Sequence, residues 1–445
     1  MAEIRAFRAY RYNTEQVAPA GVLTQPYDKI TPAMQERYYA ASPYNLIPIE
    51  KGRATPEDSP ENNVYTRSAA KLHELIAADI LRRDATPAIY AYAQEYSVPG
   101  TNTHRTRRGF IGLGRVEDYE AGIVFRHEHT LEGPKKDRLE LLRQTHVQTG
   151  LLFMLYDDPQ KQIDTILEVQ GRATPAVELE DEYGVTHRLW PLTDSAVIER
   201  IRNVMAKQKL VIADGHHRYE TALTYRNECR ERAQAKNPDA PYEFAMMALF
   251  NTRASGLTIL PTHRLIRNVA DFDFEKFRSQ AAKYFDWYGY PFLSDEERLE
   301  SLKEFTHELE RQRPRHAIGI YAGGGVYYLF ALRRGLDLEQ TLPKVSPTQR
   351  GLDVVLLHKL MVEKCLKITA EAVTAEQNIS YVRDMNEAIA AVDRGEAQMA
   401  CLLNPVRVQE VVDIALGGDV MPQKSTDFYP KLLSGLVIYR EDEPI

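Results

Sequence analysis

VIADGHHRYETAL, residues 211–223, reads as a strand that turns into a helix. Val211 and Ile212 close an apolar run, and Gly215 permits a tight turn. Tyr219, Ala222 and Leu223 then recur at helical spacing, so a helix is predicted from near His216. Asp214 falls at the helix N-cap or one residue before it. A helix start carries unpaired N–H groups and partial positive charge, which favours carboxylates and disfavours His216, His217 and Arg218. A local preference broken this heavily marks a site. The missing partner is an anion, most simply a phosphate held by backbone N–H groups and the guanidinium, with Gly215, His216, His217 and Arg218 as its candidate ligands. The competing reading, in which Asp214 caps the helix and Arg218 pairs with a surface acid, accounts for fewer of these residues.

Outward from this corner, strand-like and helical runs alternate without a repeat or a long linker, so the fold class is α/β (α+β). A helix is predicted over 66–82. AIYAYAQEYSV and RRGFIGLGRV read as a hairpin around the turn-rich VPGTNTH, and GLLFMLYDD reads as a buried strand. Residues 157–200 read as a polar insertion carrying a hairpin, VELEDEYGVTHRLWPL. AMMALFN and LTILPTHRLI complete this half as apolar strands. The texture changes near 268–275, which places a catalytic domain over 1–270 and a second α/β domain over 271–445. The latter holds the hairpin AIGIYAGGGVYYLFAL and the helix GLDVVLLHKLMVEKCL.

A second chemical stretch is RHEHTLEGPKKDRLELLRQ, residues 126–144. Pro134 suits the first helical position, and Lys135, Lys136 and Arg138 load that helix start with positive charge; Lys135 and Arg138 are further phosphate candidates. Glu128 lies between His127 and His129 at a strand end, where a carboxylate can act as a general base. A third stretch, MPQKSTDFYPKLLSGLVIYR, puts Lys424, Ser425 and Thr426 in a loop that could hold a substrate carboxylate. THR at 262–264 adds a polar strand end. TQPYDKI reads as a turn, and neither IGLGRV nor AGGGV has the form of a phosphate loop.

Composition narrows the partners. The chain has 445 residues, a net charge of −7 and 27% charged residues, which argues against nucleic acid or an acidic membrane as partner and for small molecules. Cys229, Cys365 and Cys401 lie far apart and suggest neither disulfides nor a zinc site. MAEIRAFRAYRYN has no apolar core of a leader and no run approaches a membrane span, so a cytoplasmic enzyme is expected, with a homodimer allowed.

The HE pair, the following helix and strand, and DGHHRYETAL together resemble the ParB and sulfiredoxin-like superfamily over about residues 124–230, most closely its free-serine kinases. The resemblance implies a ParB/sulfiredoxin-like core with a long insertion. It also implies that Glu128 deprotonates a serine hydroxyl, that Asp214 holds magnesium or orients the hydroxyl, and that Gly215, His216, His217 and Arg218 clamp the phosphates of ATP or ADP. The product would be O-phosphoserine. The interval from Glu128 to Asp214 is longer than in the compact kinases because 157–200 intervenes. From end to end, the QPYD, HEHT, IADGHHRYETAL, LTILPTHRL and MPQKSTDFYPKL segments resemble a large bacterial and archaeal family, domain of unknown function 1015. Two other readings use the same residues. His127, His129, His216, His217 and Asp214 have the ligand types of a metal-dependent hydrolase, although adjacent helical histidines point apart. A ParB-type nucleotide switch would instead require basic DNA-binding helices, and none stands out.

Overall fold

The computed structural model describes residues 1–128, 132–233 and 237–445, and the side chains of 132–134 are left aside. The architecture is mixed α/β, and the chain divides into two compact units. The first comprises the described residues of Met1–Arg126, Thr130–Thr258 and Pro430–Ile445; the second holds His127 and Glu128 together with Ile259–Tyr429. The division therefore falls at Thr258/Ile259 rather than 270/271. The strand His263–Ile266, read from sequence as part of the first half, pairs with Ile379–Val382 and Met399–Leu403 in the second unit.

The first unit is built on a nine-stranded mixed sheet. Its strands are β1 (Ile4–Arg5), β2 (Ile89–Ser97), β3 (His104–Arg115), β4 (Val124–Phe125), β5 (Leu152–Tyr156), β6 (Val177–Glu180), β7 (Thr186–Leu192), β8 (Leu210–Asp214) and β9 (Phe244–Asn251). They lie in the order β4-β8-β5-β9-β3-β2-β7-β6, with β1 against β3. β5 and β9 are buried at every residue, which is why they read as unbroken apolar runs instead of alternating ones. The predicted β2–β3 hairpin is present, from Tyr90↔Ile111 to Ser97↔His104. Residues 157–200 do not form a surface excursion. β7 pairs with β2 from Thr186↔Glu95 to Leu192↔Ile89 and buries His187, Leu189 and Trp190, so this segment extends the main sheet. The helix expected over 66–82 spans Val64–Ala77, opened by an Asn63 capping box; Asp79 at φ 57° and the strand Leu81–Arg83 follow it. The helix after the HE segment spans Glu132–Thr145, so Pro134 is its third residue rather than its first.

The second unit carries a six-stranded antiparallel sheet: β10 (His263–Ile266), β11 (Phe285–Pro291), β12 (Ile318–Tyr321), β13 (Val326–Leu332), β14 (Ile379–Val382) and β15 (Met399–Leu403), in the order β11-β13-β12-β15-β10-β14. Helices Asp295–Arg311 and Met385–Asp393 pack on it through Phe305, Leu309, Ala388 and Ile389. The AGGGV turn joins β12 to β13, with Gly323, Gly324 and Gly325 all at positive φ. GLDVVLLHKLMVEKCL is helical but changes pitch: Asp353–Leu356 is α and Leu357–Cys365 is a π-helix. Among the described residues, no helix is long and apolar enough to cross a membrane.

Candidate functional site

The corner after β8 begins with a bulge. Ile212 pairs with Met154 but Asp214 with Phe153, and this irregularity redirects the end of the strand. Gly215 follows at φ 95° and is the N-cap of the helix His216–Arg232, which starts without a side-chain cap. A Cβ at Gly215 would stand 3.1 Å from Arg218 Nε, so glycine is demanded by backbone and by neighbour. Tyr219 anchors the helix: its hydroxyl donates to the Glu117 carbonyl at 2.7 Å and accepts the Glu117 N–H at 2.9 Å. Arg226, two turns further in and fully buried, donates to the Val116 carbonyl at 2.6 Å.

Asp214 does not stand alone. Lys431 Nζ donates to its Oδ2 at 2.7 Å, and Arg218 approaches its Oδ1 at 4.0 Å. Burial pushes the carboxyl's affinity for protons up, but the charges of Lys431, Arg218 and Lys29 outweigh it and hold Asp214 well below the usual carboxylate range. Lys431 is itself placed by a polar scaffold. Its carbonyl accepts from Gln94 Nε2 at 2.8 Å, and the preceding Pro430 carbonyl accepts from Arg107 at 2.5 Å. Arg107 is fully buried over the rings of Phe153 and Phe250, and burial pushes it down to about 10. Sequence reasoning missed Lys431, which lies five residues after Thr426. The available signal was a lysine inside the otherwise apolar run that follows FYP.

On its other side Arg218 donates to the Leu151 carbonyl and lines a cavity of about 70 Å³ with Tyr27, Glu50, Arg138, Thr149 and Thr221. Arg138 stacks 4.4 Å over the Tyr27 ring and donates to the Glu50 carbonyl at 2.7 Å. The Glu50 side chain is buried and accepts from Ser434 at 2.9 Å, from the Tyr27 N–H at 3.2 Å and from Thr149. Of the two helix-start cations expected to meet phosphate, Arg138 borders this cavity, while Lys135 pairs with Glu220 at 2.7 Å. His216 is buried and His217 half-buried in the first turn.

Glu128 belongs to the second unit, where its neighbour is the 421–426 loop. Glu128 bridges to Met421, whose N–H donates to the His127 carbonyl at 2.8 Å. The Lys424 N–H donates to Glu128 Oε1 at 2.9 Å, and the His127 ring meets the Thr426 hydroxyl at 2.9 Å. Two stretches that sequence reading treated separately therefore meet. Ser425 is buried and donates to the Pro422 carbonyl at 2.5 Å, whereas the Lys424 side chain is exposed. The THR strand end joins them, since Arg264 donates to the Lys424 carbonyl at 3.1 Å. His129 lies outside the described residues. Among the described residues, no group of three or more His, Cys, Asp or Glu could hold a metal ion; His216 and Asp214 lie in the first unit and His127 in the second.

No curated protein matches the chain. Among solved structures it is similar to a conserved hypothetical protein from Pyrococcus furiosus, at 12% identity and a TM-score of 0.33 over 72% of this chain and 93% of that one. It is also similar to a free serine kinase in complex with AMP, at 12% identity and a TM-score of 0.34 over 71% and 89%. A third similar structure is SbnI with a C-terminal truncation from Staphylococcus aureus, at 10% identity and a TM-score of 0.34 over 73% and 85%. Residues 4–355 match the family described as "Protein of unknown function (DUF1015)", and the chain, with its DGHHR corner and HE strand end, belongs to that family.

Proposed function

We propose that this chain is a nucleotide-dependent phosphotransferase that passes a terminal phosphate from ATP or ADP to the hydroxyl of free L-serine, giving O-phosphoserine. The observation that carries the reading is the Asp214–Gly215 corner. There a 17-residue helix begins without a side-chain cap, and Arg218 and the Lys431 ammonium flank the only carboxylate of the corner among the described residues. Phosphoryl transfer asks a protein mainly for positioning and for cations at the phosphates, which a helix start with two basic groups supplies. Asp214 is a single, half-buried carboxylate, a donor set that suits a magnesium ion keeping its waters and phosphate oxygens. When bound, that ion would neutralise charge on the phosphoryl oxygens.

Glu128 takes the role of base in this proposal. Its carboxylate, oriented by the Lys424 N–H, receives the proton of the serine hydroxyl as the new O–P bond forms and the bond to the leaving nucleotide breaks. The test is phosphorus NMR of the purified chain with L-serine and either nucleotide. O-Phosphoserine should accumulate with at least one of them. Glu128→Gln should lower its rate by about 10²–10⁴-fold while nucleotide affinity stays unchanged. If no hydroxyl amino acid is phosphorylated with either nucleotide, the reading falls.

A further inference from the structure

Within the second unit, Lys424 is held from both sides. Its N–H goes to Glu128 and its carbonyl to Arg264, and its backbone sits at φ 56°, a left-handed conformation that a side-chain-bearing residue adopts only when its surroundings impose it. The arginine that binds its carbonyl is unusual. Arg264 is 1% exposed, and one of its terminal nitrogens donates to the Thr262 carbonyl. Its Nε is buried with no hydrogen-bond partner. Tyr381 stands directly across the β10–β14 ladder, with its ring 5.5 Å from the guanidinium, and its buried hydroxyl also has no partner. His358, on the π-helix, presents a third such atom, Nε2; burial and the Arg264 charge push its imidazole down to about 3. Buried polar groups are almost always satisfied, so the unpartnered Arg264 Nε and Tyr381 hydroxyl, on facing residues of one ladder, point to an anion. Room exists beside Arg264: a cavity of about 20 Å³ is lined by Arg264, Thr262, Ser425, Asn404, Arg313 and Glu410. That volume accommodates one small group.

We propose that Arg264, with the Tyr381 hydroxyl as second donor, forms a carboxylate subsite that holds the α-carboxylate of the amino-acid acceptor beside Lys424. This deepens the phosphotransferase reading and rests on it for the acceptor's identity. Arg264 and Glu128 flank the two ends of one peptide residue, an arrangement suited to a small molecule with a carboxylate at one end and a hydroxyl at the other. The subsite would then choose amino acids over simple amino alcohols.

The test is calorimetric titration of the full chain with L-serine, L-alanine and ethanolamine. L-Alanine carries the carboxylate but no hydroxyl to phosphorylate, so its binding is read independently of turnover. L-Serine and L-alanine should bind and ethanolamine should not. Tyr381→Phe removes one donor without emptying the core and should weaken L-alanine binding by about tenfold; Arg264→Lys, which keeps the charge but loses Nε, should weaken it by at least as much. Near-ultraviolet circular dichroism checks that both variants fold. The subsite is overturned by L-alanine failing to bind the wild-type chain, by ethanolamine binding as well as L-serine, or by Tyr381→Phe leaving affinity unchanged. Carboxylate binding without phosphoserine formation would remove the phosphotransferase reading alone. Phosphoserine formation with an unchanged KM in Tyr381→Phe would remove the subsite alone.

Discussion

Asp214 illustrates how a residue's role depends on what the fold delivers to it. A carboxylate at the proposed phosphate corner would repel its ligand, yet here Lys431 neutralises it at 2.7 Å. Lys431→Met should therefore let Asp214 take up protons more readily and weaken nucleotide binding by about ten- to a hundredfold, as measured by calorimetry. Unchanged affinity would show that Lys431 serves Asp214 only. Arg218→Ala should lower nucleotide affinity by about 2 kcal/mol. It should also lower thermal stability, because Arg218 donates to Leu151 and packs on Gly150 and Gly215. Asp214, Gly215, His216 and Arg218 were legible because they are neighbours in sequence and one local conformation explains them. Lys431 was not, since it lies 217 positions from Asp214, and the contact of Lys424 with Glu128 spans 296. No periodicity or motif encodes such pairings.

At the scale of elements, the helix His216–Arg232 holds the corner and Tyr219 holds the helix. Tyr219→Phe leaves the Glu117 N–H and carbonyl without their partner and should cost about 1–3 kcal/mol in denaturant unfolding, without altering the charges of the corner. A cost below a few tenths of a kcal/mol would mean that water replaces the hydroxyl. The elements that sequence patterning recovered are those whose burial is uniform or whose turns are explicit: β5, β9, the β2–β3 hairpin and the glycine turn before β13. β11 was missed because only its first residue is buried and its FDWYGYP carries aromatics on a largely exposed strand. The β6–β7 hairpin was found, but its polar composition hid its membership of the main sheet. β7 is buried at His187, Leu189, Trp190 and Leu192, and such a pattern says which residues are covered without saying by what.

At the scale of the whole molecule, Glu441 in the first unit and His263 in the second respond to pH in opposite senses, and the lowered Asp214 adds an acid loss to the first unit. In the first, burial raises the Glu441 carboxyl to about 8, beside Gln148. The folded chain keeps that proton while the unfolded chain releases it near 4.5, so stability falls as pH rises from about 5 to 8, by a few kcal/mol in order of magnitude. In the second, burial and then Arg264 push His263 down to about 4, while an unfolded imidazole takes its proton near 6.5. The unfolded state then binds more protons, and stability falls as pH drops from about 6.5 to 4. The two tryptophans separate the units, Trp190 lying in the first and Trp287 in the second. Fluorescence melts of Trp287→Phe should lose midpoint toward alkaline pH, and those of Trp190→Phe toward acid. Glu441→Gln should flatten the alkaline loss; an unaltered slope would exclude Glu441 as its source.

The first unit is discontinuous in the order of synthesis. Pro430–Ile445 supplies Lys431, pairs Tyr439 with Gln148, and bridges Ser434 to Thr24 and Ile438 to Tyr10. A ribosome makes the nine strands of the main sheet early, then Ile259–Tyr429 of the second unit, and only afterwards the segment that neutralises Asp214. During translation Asp214 has only Arg218, at 4.0 Å, and Lys29 to offset its charge, so the corner gains its closest cation only once this segment has emerged from the ribosome.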